Sequence, residues 1–264
     1  LAHASGLPAF KQYYKEEKTR ELVLESIYDT VPIKSNRDTT IYSDVGAIIL
    51  GEIVEKISGL PLNVFADSMI FKPLGMGTTF FNPPSNKMRR IVPTEFKPDG
   101  TIVHGYVHDE NAYSLGGVAG HAGLFSTAKD LAVFSQMMLN DGLYGWKRIF
   151  KTETVNEFTT KANVVDGSSR LLGWDSPGGY ASGGIYLSDN SFGHTGFTGT
   201  SMWIDPDQGI IVILLTNAVH PNRKNKSPKY YDWRQRIHSA VYESLSIINK
   251  NPNLKLRPRW EEGE

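Results

Sequence analysis

Apolar residues recur at helical spacing most clearly in Thr40–Gly59, TIYSDVGAIILGEIVEKISG. Ile48, Ile49, Ile53, Val54 and Ile57 form one stripe, with Glu52, Glu55 and Lys56 outside it, which predicts an amphipathic helix. Ser43 or Asp44 is its N-cap, and Gly59 with Pro61 ends it. Arg20–Thr30 predicts a shorter helix with Leu22, Val23, Ile27 and Tyr28 on its apolar side. Pro61–Leu74 reads as another, closed by Pro73 and Gly75. A third stripe, Leu131, Phe134, Met138 and Leu139, follows a cap at Ser126 or Thr127, and Leu143–Phe158 holds a turn and a short helix. Tyr230–Ile248 places Trp233, Ile237, Val241, Leu245 and Ile248 on one face, to be packed on a sheet. Leu1–Pro8 reads as a helix end running into a Gly/Pro turn.

The strand signals come late. Ser201–Ile204 and Ile210–Leu215 flank Asp205-Pro206-Asp207-Gln208-Gly209, which is turn chemistry between two strands. Ile210–Leu215 has no polar interruption and should be buried on both faces. Leu171–Trp174 is a further strand candidate, Phe80–Gly100 is proline-rich and irregular, and the polar tail from Asn249 should fray. The class is therefore α+β, an antiparallel sheet flanked by helices plus a mostly helical lobe. All 264 residues form one domain, with 31–190 as the helical lobe and 191–264 as the hairpin and C-terminal helix. Three strands are few for a sheet core, so further strands are expected upstream of Leu1.

Composition narrows the partners. Lys+Arg and Asp+Glu both number 28 and no charge run occurs, which argues against nucleic-acid or membrane-surface binding. No apolar run is long enough to span a bilayer. Cysteine is absent, which removes disulfides, thiolate catalysis and cysteine-ligated metal. The chain begins with Leu1, and Leu1–Phe10 is unlike a signal peptide, so it reads as a piece of something longer.

Candidate chemistry gathers at glycine-rich places. Gly193-His194-Thr195-Gly196-Phe197-Thr198-Gly199 precedes the hairpin; such a strand is either a substrate edge or a hairpin with a loose glycine loop. Tyr42 lies just before a helix, where its phenol either serves chemistry or packs at the core edge on Ile41 or Val45. His104 and His108 stand near Asp109, Glu110 and His121, but Gly105 and the valines around it disfavour the helix that an i, i+4 metal pair needs. Asn217, His220 and Asn222 either line the sheet edge or form a polar turn.

Four segments in order carry a resemblance: LAHASGLP at 1–8, Tyr42-Ser43-Asp44 at a helix start, GGVAGHAGLFSTAKDLAVF at 116–134, and His194-Thr195-Gly196 before a hairpin. Together they resemble the serine β-lactamase and penicillin-binding-protein superfamily, in its branch of class C β-lactamases, DD-peptidases and esterases. The resemblance implies a serine acyl-hydrolase working through an acyl-enzyme on a cell-wall D-Ala peptide, a β-lactam or a simple ester, without metal or organic cofactor. The alternative is a catalytically silent module that binds a cell-wall ligand or protein partner. The nucleophile in that family belongs to a Ser-x-x-Lys preceding these motifs. The internal Ser126-Thr127-Ala128-Lys129 is out of order and suits a helix cap, so the implied nucleophile lies upstream of Leu1.

By the same resemblance Tyr42 is the general base, Asp44 replaces the usual Asn and could hold the upstream lysine, and the Phe197 N–H serves the oxyanion hole. His194, Thr195 and Gly196 form the substrate strand, with His194 in place of the usual Lys and charged only below about pH 6.5. The implied location is the bacterial cell envelope, periplasmic or secreted. The missing N-terminal segment or another chain is expected to cover the sheet.

Overall fold

The computed structural model describes residues 1–16, 19–226 and 228–259. The chain divides into two compact units, the first made of Leu1–Pro93, Thr101–Asp130 and Asn163–Ser168, the second of Thr94–Gly100, Leu131–Ala162 and the chain from Ser169 on. Among the described residues no helix is long and apolar enough to cross a membrane. The last part of the C-terminal tail, 260–264, lies outside the described residues.

The first unit is mainly helical. Helices α1 (Tyr13–Glu16), α2 (Arg20–Tyr28) and α3 (Asp44–Ser58) enclose a core of Tyr13, Val23, Ile27, Val45 and Ile48, joined by Ala112 and Leu115. Ser43 is the N-cap of α3, its Oγ accepting from Gly46 N, and Gly59 ends the helix at φ +69°. The face of α3 that is buried differs from the predicted stripe: Val45, Ile48 and Gly51 are inside, whereas Ile57 is 82 % exposed. Val45 and Ile48 pack with Val23 and Ile27 of α2, and beside this contact Arg20 donates to Glu52 at 2.9 Å and Glu55 at 3.2 Å, so the acidic positions lie towards α2.

The expected helix over 61–74 is α4 (Leu62–Ala66), a π-helical turn over Asp67–Phe71 and α5 (Lys72–Leu74). Strand β1 (Phe80–Phe81), α6 (Glu110–Ser114) and β2 (Leu124–Phe125) follow, with β1 and β2 antiparallel.

Leu1–Pro8 is no helix end. Its backbone bonds outward: Gly6 O accepts from Ile33 N and Lys34 N, Ala4 O from Arg37 N, and His3 O from Ile41 N. Local sequence cannot specify such distant partners.

Helix α7 (Ala128–Leu139) starts in the first unit and runs into the second. Thr127 caps it, accepting from Asp130 N, while Ser126 Oγ shares a hydrogen bond with Thr79 Oγ1 and Lys129 is exposed. Ser126 thus belongs to a structural hydroxyl network that ends on the buried Asp130 carboxylate.

The second unit continues with the hairpin β3 (Leu143–Tyr144) and β4 (Lys147–Arg148), then α8 (Thr152–Thr159). Leu171–Trp174 is a tight turn closed by Leu171 N on Trp174 O, not a strand. Strands β5 (Phe192–Thr195), β6 (Ser201–Asp205) and β7 (Ile210–Leu214) form an antiparallel sheet in the order β5-β6-β7. As an edge strand β7 buries only Val212, and Leu215 beyond it is exposed, so burial on both faces is not realised.

Helix α9 (Pro228–Ser244) inverts its prediction. Asp232, Arg234, Gln235, His238, Ser239 and Tyr242 are buried, whereas Trp233 and Ile237 are exposed. Several groups of this buried polar face meet specific partners. Gln235 Nε2 donates to Ala181 O and Lys255 O, Ser239 Oγ accepts from Ile185 N, and Tyr242 OH donates to Asp205 Oδ2. Within the tail, Leu254 is buried in the core with Trp203 and Tyr242.

Candidate active site

Two clusters hold the predicted residues, one in each unit. In the first, Tyr42 stands just before α3 and is 46 % exposed. Its position is set by neighbours that give it little freedom. Ser43 N donates to His3 Nδ1 at 3.0 Å, Ser43 Oγ donates to Pro8 O at 2.7 Å, and Asp44 N donates to Ala9 O. The His3 ring lies 4.5 Å from the Tyr42 ring, centroid to centroid. The 1–9 segment therefore fixes the Tyr42-Ser43-Asp44 turn through its backbone and one imidazole.

Asp44 is half-buried at the start of α3. Burial raises its pKa above the ordinary carboxylate range; the charge of His121 opposes this and that of Asp109 adds to it. Asp109 and His121 are themselves paired, Asp109 Oδ1 to His121 Nε2 at 2.8 Å. Asp109 also caps α6, accepting from Ala112 N at 2.8 Å. Burial pushes Asp109 up, yet the hydrogen bond and charge of His121 and two backbone N–H groups outweigh it and leave its pKa lowered.

In the second unit β5 carries His194 and Thr195, opposite Met202 and Ser201. A Cβ at Gly196 would lie 2.1 Å from Thr200 Oγ1, so any larger residue there displaces the Thr200 hydroxyl. The Phe197 ring is exposed; its carbonyl accepts from Lys226 Nζ at 2.7 Å, and that ammonium sits 4.6 Å from the ring centroid.

His194 differs from its expected role. Burial lowers its pKa, and the nearby Arg170 lowers it further, against the opposing effects of Asp175 and the Thr195 carbonyl. Its Nδ1 contacts Thr195 O at 2.9 Å, so Nδ1 carries the proton and Nε2 is left to accept from Arg170 Nη1 at 3.4 Å. The ring is therefore neutral near pH 7. The permanent cation beside this strand is Arg170, 18 % exposed and paired with Asp175 at 2.8 Å.

Sequence reasoning passed over His3 and Arg170, and weighed Asp109 and His121 only as metal ligands beside His104 and His108, not as a pair. His3 and His121 both lie in segments that carried the resemblance, and Asp109 is an Asp-x-x-Ala helix cap. Arg170 had no local signal. His104 contacts Ile91 O, and among the described residues no group of three His, Cys, Asp or Glu side chains is placed to hold a metal ion.

Comparison with known proteins gives the family and the fold. The family model described as Beta-lactamase matches residues 1–236. A putative D-alanyl-D-alanine carboxypeptidase of Escherichia coli K12 is 38% identical over 83% of this chain and 56% of its own length. An N-acetylmuramyl-L-alanine amidase of Bacillus subtilis is 37% identical over 93% of this chain and 63% of its own. The chain thus spans little more than half the length of these curated relatives. Among solved structures, a class C β-lactamase matches with TM-score 0.66 at 17% identity, over 95% of this chain and 68% of that one. A β-lactamase of Mycobacterium bovis matches with TM-score 0.61 at 20% identity, over 92% and 72%. The fold is therefore that of these enzymes, and the chain belongs to the β-lactamase family, within the serine β-lactamase and penicillin-binding-protein superfamily.

Proposed function

We propose that this chain is the larger part of a serine acyl-hydrolase that forms an acyl-enzyme on a carbonyl of a cell-wall peptide, in the bacterial cell envelope. The observation that carries this reading is the anchoring of Tyr42 before α3 by His3, Pro8 and Ala9, which holds a half-exposed phenol ready to exchange a proton. The names of the relatives, a D-Ala-D-Ala carboxypeptidase and a muramyl-L-alanine amidase, support an amide of peptidoglycan over a simple ester.

The nucleophile in this reading is the serine of a Ser-x-x-Lys upstream of Leu1. Its lysine makes a phenol of ordinary pKa about 10 usable as a base by stabilising the phenolate. Tyr42 takes the serine proton and returns it to the leaving group. Asp44 holds the lysine through its carboxylate, and the Phe197 N–H, with the serine's own, receives the oxyanion. Thr195 donates its hydroxyl to the substrate, and an anionic substrate group is drawn by Arg170, since His194 is neutral.

The test is Tyr42→Phe in the full-length protein. Turnover of a chromogenic D-Ala-D-Ala ester should fall by about 100-fold or more, with the fold unchanged, because one hydroxyl is lost. Unchanged turnover would remove Tyr42 from the mechanism. A second reading, a module that binds a wall peptide without cleaving it, draws on Asp44 and the neutral His194, both departures from the family's usual residues. Binding of the peptide with no turnover in the unmodified protein would favour it.

A further inference from the structure

A cleft of about 420 Å³ opens in the second unit, between the 186–189 segment, the turn joining β6 to β7, and the chain that leaves α9 over 246–252. Its size falls among clefts that take small ligands, roughly 300–1,000 Å³. Phe192 pairs with Ile204 and Thr195 with Ser201, so the cleft lies at the end of the sheet opposite Thr195 and Gly196. It has no part in the mechanism above.

Hydrogen bonds hold its walls in place. The Asp205 carboxylate is fully buried and accepts from Ser188 N at 3.0 Å, Tyr242 OH at 3.0 Å and Gln208 N at 3.2 Å. One side chain thereby joins the 186–189 segment, α9 and the turn. Asn251 ties in the departing chain: its N donates to Ile185 O, and its Nδ2 to Leu187 O at 2.9 Å and Asp189 Oδ1 at 2.8 Å. The cleft is therefore formed before any ligand arrives, and binding there costs little ordering.

Four side chains that line it, those of Ser188, Gln208, Ser246 and Asn249, make no hydrogen bond with another described residue. Each can both donate and accept. Ser246 is held at φ +61°, a left-handed conformation that an L residue adopts at a cost and that glycine usually fills where a helix ends. Serine there keeps a hydroxyl at the lip of the cleft. Leu187, Ile247 and Pro252 add apolar surface.

No Lys, Arg or His is among the lining residues, so an anion meets no counter-charge. Asp189, the one charged lining residue, already accepts from Asn251, and the Tyr186 hydroxyl is committed to Glu243 Oε1 at 2.9 Å. What remains is a set of neutral hydroxyls and amides over aliphatic surface. We propose that this cleft is a binding subsite for a neutral N-acetylated sugar. Its hydroxyls and acetamido group pair with the Gln208 and Asn249 amides and the Ser188 and Ser246 hydroxyls, while its methyl rests on Ile247 and Pro252. Nothing in the cleft depends on Tyr42 or on the acyl-transfer reading. Where that reading holds, the subsite grips the glycan of the wall substrate at a distance from the chemistry.

The test is saturation-transfer NMR of the full-length protein with N-acetylglucosamine. The N-acetyl methyl should show the strongest transfer, with a Kd in the millimolar range or tighter. Gln208→Ala/Asn249→Ala should weaken binding by about fivefold or more, with the melting temperature unchanged because both side chains are exposed. Ser246→Gly relaxes the backbone while removing the hydroxyl, so binding should weaken by about twofold or more in a protein at least as stable. Glucosamine, which carries an ammonium, and glucuronate, which carries a carboxylate, should both bind more weakly. No transfer to N-acetylglucosamine, undiminished binding in the double variant, or tighter binding of either charged sugar would overturn the subsite.

The linear tetramer of N-acetylglucosamine separates two sources of the sugar. Binding at least as tight as that of the monomer assigns a glycan chain, and exclusion of the tetramer assigns a free sugar and removes the link to the wall. Tyr42→Phe should lower ester turnover and leave sugar binding unchanged, so the subsite and the catalytic reading can fail separately.

Discussion

His238 shows how much one buried ring ties stability to pH. It is fully buried on α9, with Nε2 2.9 Å from Ser201 Oγ and Nδ1 without a partner among the described residues. Burial first, then the charge of Arg234, lowers its pKa to about 4. The unfolded chain titrates this ring near ~6.5, so between those values the unfolded state binds more protons. The contribution to stability is complete above about pH 6.5 and is lost as pH falls through about 4, amounting to about 3 kcal/mol. Urea midpoints measured from pH 7 down to 4 should therefore fall more steeply for the parent than for His238→Asn. Equal slopes would show that the ring's charge is not the cause. His194 carries a related lesson: its place on a strand was readable, but its neutral form is favoured first by burial, with Asp175 and Arg170 acting against each other from distant positions in the sequence.

Among the elements, α3 and the 116–123 loop form a close contact that a single methyl group should disturb. Gly120→Ala drives a Cβ to 2.1 Å from Ala47 O, and both partners are backbone, so neither can rotate away. The expected cost is about 1–3 kcal/mol by thermal or urea unfolding. Gly77→Ala is the control, having open space and an ordinary φ, and should change stability little. Equal effects would mean that the loop does not rest on α3 as described. Helix α9 was readable as a helix from its period, but not the way it faces. A polar residue is cheap to bury only where a partner waits, and Ala181 O, Lys255 O, Ser201 Oγ and Asp205 supply those partners from distant segments.

For the whole molecule, the exposed faces carry the expectation. Ile237 on α9 is 46 % exposed, and β7 is an Ile-rich edge with no charged residue along it. If the proposed upstream segment covers this surface, Ile237→Lys should lower the melting temperature of the full-length protein by several degrees, while the 264-residue chain alone should be unaffected. The chain alone should also form no covalent adduct with a fluorescent penicillin, since its internal Ser126 is held in a hydroxyl network that ends on Asp130. Intact mass spectrometry decides this. An adduct on Ser126 would move the nucleophile to α7, and equal melting shifts in both forms would remove the upstream segment from this face.

The sequence by itself determined the helices over 20–28, 44–58, 128–139 and 228–244, the hairpin around Asp205–Gly209, and the family. Periodicity, caps and glycine-bearing motifs are local properties of the chain, and four motifs in order suffice for kinship. Tertiary structure alone decided which face of α3 and α9 is inside, how Leu1–Pro8 is held, and which groups surround Asp44 and His194. The physical reason is common to all of these. Burial and charge depend on what comes near through space, and Arg20, Arg170, Asp205 and the Asp109–His121 pair act on residues far from them in the chain.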